Sequence, residues 1–441
     1  MTRVKARFAV VSLLFLSWSA GAFAFVPFIV GKTPERLFTG ASQIVVAREG
    51  KRTAVTLVST YRGGQKEFVL VIPVPALLKP EQVSVGELAT VQRLDAFSAP
   101  RIVEYSDSDP CESGGSKKTP KIIAGLSPGA SLGFEKDNEA TPGDYKLITL
   151  SASDTETLGD WLGERGYQVP KNIGAVIRES IKSGLKFLAV EITLTATDST
   201  AYKYLRPIQF AFEVEDLSIP LALGKAGAEK EQEVTFYFVS RRGRFVPHEK
   251  KLASLPTNVD IPEFIKEKFP AFYRALYSKQ LEKENQKTMF LEYAWNMGWC
   301  DPCAVDPLSP EELRQLGVFW LDEGDSTRKS QMIWPPGGGP VEAFVTRVHA
   351  KPGAEDSLQF RESKSMDNFQ AKFAIRHPWV PPQRTCAQAS DYMRKVKGRR
   401  ETEAQTLAGL TGWTIEDVYK QMGAQSALLD QERKWYEKIF K

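Results

Sequence analysis

Two cysteines stand three positions apart in Trp299-Cys300-Asp301-Pro302-Cys303. At that spacing the thiols can close a small disulfide, exchange electrons or supply half of a metal site. The string has the Trp-Cys-x-Pro-Cys form of dithiol redox sites, in which a helix N-terminus directly after a strand activates the first thiolate. The context here differs. Phe272, Tyr273, Leu276, Tyr277, Leu281, Phe290, Leu291 and Trp295 recur at helical spacings, so the residues before Cys300 read as a helix. Pro302, Pro307 and Pro310 delay the next helix to about Ser309, and Asp301 brings negative charge where a low thiol pKa needs positive. The motif therefore reads as a structural disulfide that pins an irregular segment. The alternative is a thiol–disulfide oxidoreductase with Cys300 as nucleophile and Cys303 as resolving thiol.

Other chemistry is thinner. A zinc site needs two more ligands, and beyond the motif only Cys111, Cys386, His248, His349 and His377 are on offer, so no metal or other cofactor is expected. Arg376, His377 and Trp379 form a compact polar and aromatic group, a candidate polar site or a hydrogen-bonded histidine at a strand end. Gly129-Ala130-Ser131-Leu132-Gly133 spells a nucleophile elbow, but Pro128 before it and a polar run after it lack the strand and helix an elbow needs. Arg394, Lys395, Lys397, Arg399 and Arg400 make the densest basic run, a solvated face or a contact for an anionic envelope surface.

Residues 1–24 read as an export signal. Arg3, Lys5 and Arg7 precede an apolar run from Phe8 to Trp18, and Ala22-Phe23-Ala24 places small residues where a signal peptidase cuts. An uncleaved anchor is the minority reading, because apolar character continues to Val30. Removing the leader's three basic residues takes the chain's net charge from +4 to +1, which excludes a nucleic-acid footprint. An even count of four cysteines outside the cytosol suggests two bridges, with three connectivities open.

The elements predict an α+β protein. Valine-rich stretches at Ser42–Arg48, Thr53–Thr60 and Glu67–Pro75 read as strands, the last ending at an edge because of Pro73 and Pro75. Ser153 and Glu156 have capping-box spacing before a helix carrying Leu158, Trp161 and Leu162. Strands follow at Tyr145–Ser151, Lys186–Thr197, Ile208–Glu215 and Glu233–Ser240, and later at Val341–Val348 and Gln370–Ile375. Ser309 to Glu312 starts a short helix ending at Gly317, and Thr414 caps a last one with Trp413 and Val418 as its staple. The expected division is a leader at 1–24, a β-rich domain with inserted helices at 25–225, a mixed region around the cysteine motif at 226–385, and a helical extension at 386–441.

The order of several strings is specific. Leu158–Leu162 is followed by Gly166-Tyr167, then by Phe236–Ser240 and by Glu292-Tyr293-Ala294-Trp295 leading into the cysteine motif. Pro307-Leu308-Ser309, Leu316-Gly317 and Val318–Leu321 come next, and Phe344–Arg347 and Phe369–Trp379 close the series. Together they resemble the bacterial family called domain of unknown function number 2330, over about Phe25 to Trp379. The resemblance implies an exported bacterial protein and brings no catalytic residue, substrate or partner. Cys111 and Cys386 lie outside the recognised pattern, which favours pairing them with each other and Cys300 with Cys303. The reading is an exported envelope protein, a binding or structural module rather than an enzyme.

Overall fold

Strands that are apolar on both faces must be covered on both. The computed structural model shows how this chain does it, and describes residues 26–111, 121–124, 143–151, 153–154, 157–222, 224, 233–285, 288–297, 307–321, 342–351, 357–379 and 386–423. The first stretch holds β1 (Phe28–Gly31), β2 (Phe38–Glu49), β3 (Arg52–Gly63), β4 (Glu67–Val74), β5 (Val83–Val85), α1 (Leu88–Ser98), β6 (Arg101–Ser106), β7 (Lys121–Ala124) and β8 (Asp144–Thr149). Then come α2 (Leu158–Glu164), α3 (Lys171–Lys182), β9 (Lys186–Thr193), β10 (Asp198–Tyr204), β11 (Ile208–Glu213) and β12 (Leu217–Pro220). The next elements are β13 (Val234–Ser240), β14 (Phe245–Pro247), β15 (Lys251–Ser254), β16 (Val259–Asp260), α4 (Ile265–Lys283), β17 (Thr288–Asn296) and α5 (Pro310–Gln315). The last are β18 (Phe344–Ala350), β19 (Ser357–Glu362), β20 (Phe369–Gln370), β21 (Lys372–His377) and α6 (Ala387–Thr411). The fold is α+β.

A ten-stranded sheet forms the middle, with the path β15-β17-β18-β13-β2-β3-β11-β5 and with β10 and β20 beside β3 and β17. Its longest hairpin joins β2 to β3 through Gly50, whose φ of +60° suits the first position of a two-residue turn. Alternation sends Ile44 and Val46 of β2 to one face and Val45 and Ala47 to the other, and all four are buried. The first face packs on a four-stranded sheet, β1-β4-β9-β8, through Phe68, Leu70, Ile72, Leu188 and Val190. That sheet's outer face is closed by Leu158, Trp161 and Leu162 of α2 and by Ile173 and Ile177 of α3. The second face of the large sheet is covered by α1 and α5 at one end and by α4 at the other. A further sheet, β16-β21-β6-β7, lies against α4 and α6 through Ile102, Phe373 and Ile375.

Strands from both sides of the expected boundary at 225/226 pair with each other. β13 runs parallel to β2, β12 pairs with β19, and β6 pairs with β21.

Three local expectations are corrected. The residues before Cys300 are a strand, not a helix: β17 spans Thr288–Asn296. The N-cap residue of α2 is Thr157, with no side-chain cap bond, not Ser153; Ser151 Oγ accepts from Asp154 N at 3.1 Å ahead of it, and Glu156 lies outside the described residues. β4 is no edge, because β1 and β9 flank it. Pro73 is tolerated because it lies past the last β1 pair, Phe28↔Val71, opposite Phe187 of β9. The Ser309 capping box is present, with Glu312 N donating to Ser309 Oγ at 3.2 Å and Ser309 N to Glu312 Oε2 at 2.7 Å. Thr414 Oγ1 likewise accepts from Asp417 N at 3.2 Å. Pro270 follows a break at Lys268 inside α4, and so sits in the first turn of the helix's second segment.

Candidate functional site

The parallel strands β6 and β21 end side by side, in register from Lys372↔Arg101 to His377↔Ser106. This pairing carries Arg376, His377 and Trp379 to the sheet end that α6 crosses. Arg376 Nε donates to both carboxylate oxygens of Asp260 at 2.9 Å, and its guanidinium lies 5.1 Å from the Tyr105 ring. His377 Nε2 meets Glu104 Oε2 at 2.7 Å, and Lys266 Nζ meets Glu104 Oε1 at 2.7 Å. Burial pushes the Glu104 carboxyl up, but its bonds to Lys266 and His377 outweigh that and hold it below the usual range. The backbone N of Trp379 donates to Tyr392 Oη at 2.6 Å, and Tyr392 donates to Asp107 at 2.7 Å.

The same cluster binds α6 down. Arg399 reaches Asp107 at 2.8 Å and Glu403 at 3.5 Å. Glu403 is buried among Arg399, Asp260, Arg400 and Arg376, and burial pushes its carboxyl up to about 7. A disulfide joins Cys111, shortly after β6, to Cys386, the N-cap residue of α6. Five basic residues expected on one surface are thus divided. Arg399 and Arg400 are half-buried in the clamp, while Arg394, Lys395 and Lys397 are exposed. Cys300 and Cys303 lie outside the described residues.

A second constellation was not read from the sequence. Asp95, Glu292, Arg347, His349, Tyr237 and Tyr273 meet between the large sheet and the helices α1 and α4, all of them buried. Arg347 and His349 alternate along β18 with Val348, so both face the helices while Val348 faces the other core. Arg347 Nε meets Glu292 Oε2 at 2.5 Å, and its Nη1 meets Asp95 Oδ1 at 2.8 Å. Tyr237 donates to Asp95 Oδ1 at 2.5 Å, and Tyr273 donates to Glu292. His349 Nδ1 lies 3.0 Å from Glu292 Oε1, its Nε2 lies 3.5 Å from Glu233, and Tyr277 stacks on its ring at 3.8 Å.

The charges sort themselves by environment. Burial alone would raise the Glu292 carboxyl, but Arg347 and His349 overcome it and hold it at about 2. Burial would lower His349, but Glu292 and Glu233 raise it to about 9. Asp95 is pushed up by burial, only partly opposed by Arg347, and its Oδ2 has no hydrogen-bond partner. Tyr237 and Tyr273 are held well above the ordinary phenol range, chiefly by burial, and so remain neutral donors. In such a network each partner satisfies a charge that would be costly alone.

The sequence profile described as "Uncharacterized protein conserved in bacteria (DUF2330)" matches residues 20–360. The chain belongs to this family. The matched span takes in Asp95, Glu292, Arg347 and His349, and it stops before β20, β21 and α6. The family description assigns no residue a role. No curated protein matches the chain. Among solved structures the chain is similar to the crystal structure of baculovirus p35, at 11% identity and a TM-score of 0.27 over 47% of this chain and 66% of that one. Among the described residues no helix is long and apolar enough to cross a membrane, and no group of His, Cys, Asp and Glu could hold a metal ion.

Proposed function

We propose that this DUF2330 member is an exported bacterial envelope protein, and that it works as a binding or structural module rather than as an enzyme. The observation that carries the reading is the Cys111–Cys386 bridge, which closes a loop of 275 residues. Paired cysteines of this kind persist in oxidising compartments. The basic and apolar leader before Phe25 agrees with export. Arg376 and His377, the side chains best suited to chemistry at the sheet end, are used in ion pairs with Asp260 and Glu104, and Arg399 in one with Asp107 that holds α6. That use favours a structural assignment. The exposed Arg394, Lys395 and Lys397 would then face an anionic envelope surface.

The test is N-terminal sequencing and non-reducing peptide mapping of natively expressed protein. The expected mature chain starts at Phe25 and yields a Cys111–Cys386 peptide pair. An intact Met1 or Thr2 together with four free thiols would overturn the reading. Insulin reduction by the same protein, lost in Cys300→Ser/Cys303→Ser, would instead establish the oxidoreductase alternative.

A further inference from the structure

The two halves of α6 are held by different forces. The second half is part of the hydrophobic core. Ala404 and Leu407 are fully buried in the cluster that contains Phe269, Phe272 and Leu276 of α4, and Val418 beyond the helix joins them. The first half stands apart from that cluster. Its buried apolar side chains are Ala389 and Val396, and neither belongs to it. What ties the first half to the fold is chiefly polar. Tyr392 donates to Asp107 at 2.7 Å and accepts from the Trp379 backbone N at 2.6 Å, and its ring meets Trp379 edge-on at 6.0 Å. Arg399 reaches the same Asp107 at 2.8 Å. The fit is imperfect, because Arg399 Nε and Glu403 Oε1 are buried without a hydrogen bond.

Gly398 stands where the two halves meet. It is exposed, its backbone is helical, and a Cβ there would meet nothing within 4 Å. Neither packing nor backbone geometry calls for glycine at this position, and glycine weakens a helix interior relative to alanine. The far end of the first half carries a covalent tie. Cys386, the N-cap residue, is bonded to Cys111, which follows shortly after Asp107 in the chain. Both cysteines are partly exposed, so a thiolate can reach the bridge.

We propose that residues 387–397 form a redox-released strap, hinged at Gly398 and latched by Cys111–Cys386 over the carboxyl ends of β6 and β21. An external dithiol opens the latch. Its thiolate attacks one sulfur of the bridge, and its second thiol resolves the mixed disulfide. The dithiol leaves oxidised to its own disulfide, and Cys111 and Cys386 take up two protons as free thiols. The strap then swings away on Gly398 while Leu407 keeps the second half in the core. Asp107 and the Trp379 N–H, both engaged by Tyr392, are uncovered beside Arg376 and His377. Elements that open locally are those with few buried apolar contacts, which describes the first half and not the second. Of the features that support the proposed function, the strap uses the bridge alone. Peptide mapping reads the bridge and exchange reads the strap, so the two readings fail separately.

Hydrogen exchange and limited trypsin digestion of the full chain, oxidised and with dithiothreitol, test this. Reduction is expected to speed exchange in residues 388–397 by about tenfold or more and to leave residues 404–411 unchanged. The Trp379 amide should lose protection together with the strap. Cleavage after Arg394, Lys395 and Lys397 should appear on reduction. Cys111→Ser with Cys386→Ser should match the reduced parent and no longer respond to dithiothreitol, which assigns the effect to this bridge and not to Cys300 and Cys303. If that variant fails to fold, dithiothreitol added to folded Cys300→Ser/Cys303→Ser protein decides. Gly398→Ala should restore part of the protection in residues 388–397 of the reduced chain. Equal protection of those residues with and without the bridge, loss spread evenly over both halves of α6, or no gain from Gly398→Ala would each overturn the proposal.

Discussion

Arg347 reaches Glu292 across β17 and β18 because Glu292 is the extra residue of a β-bulge. Leu291 pairs with Val348 and Tyr293 with Arg347, which leaves Glu292 without an opposite number. A bulge turns two successive side chains to one side. Glu292 and Tyr293 therefore both face the helices, and Leu291 and Ala294 on either side enter the other core. The carboxylate thus lands between Arg347, His349 and Tyr273 instead of in an apolar layer.

Removing one charge from this network should be severe. Arg347→Met leaves Asp95 buried without its cation and Glu292 with His349 alone, and is expected to cost about 3–5 kcal/mol. The combined change Arg347→Met, Glu292→Leu and Asp95→Leu should recover most of that loss, because apolar side chains then replace the whole set. Urea unfolding of the two variants measures this. A single variant within about 1 kcal/mol of the parent would show that the network contributes no more than an ordinary surface group.

The network also sets a pH window. His349 is raised to about 9 in the folded chain from its ordinary 6.5, so its contribution is complete below 6.5 and lost as pH rises through 9. Glu292 is lowered to about 2 from 4.5, so its contribution is complete above 4.5 and lost as pH falls towards 2. Melting temperature against pH should therefore fall on both sides, and His349→Gln should flatten the alkaline limb between 6.5 and 9. An unchanged alkaline limb in that variant would count against a charged His349.

Glu403 behaves in the opposite sense from Glu292. Its carboxyl is raised to about 7 from 4.5 by burial, so docking of α6 is favoured below 4.5 and weakens as pH rises through 7. Arg399, Arg400 and Arg376 offset that burial, and Asp260 adds to it. Glu403→Gln should make the protection factors of the α6 amides, which are relative to the intrinsic exchange rate at each pH, independent of pH between 4.5 and 7. Protection that still falls over that range would assign the effect to another group.

The long-range disulfide should be a large single contributor to stability. Cys111→Ser with Cys386→Ser, or a reductant added to the parent, is expected to remove about 2–4 kcal/mol. Hydrogen exchange should rise first in α6, which the bridge holds at its N-cap. Equal melting temperatures with and without reductant would contradict a bridge that holds α6.

The sequence by itself determined the α+β class, most strands and the caps at Ser309 and Thr414, because two-residue alternation and capping chemistry are local. It also singled out Arg376, His377 and Trp379, although it could not supply Asp107, Arg399 or Glu403 as their surroundings. β17 was misread for a specific reason. The bulge at Glu292 interrupts the period of two, so Phe290, Leu291 and Trp295 mimic helical spacing, and no local signal distinguishes the two. The buried network was equally hidden. Asp95 on α1, Glu292 on β17 and Arg347 on β18 are far apart in the chain and each reads singly as a solvated polar residue, while Tyr273 on α4 reads as one more apolar position of a helix. Tertiary packing alone brought them together and removed them from water, and removal from water is what shifts their pKa values and makes each depend on the others.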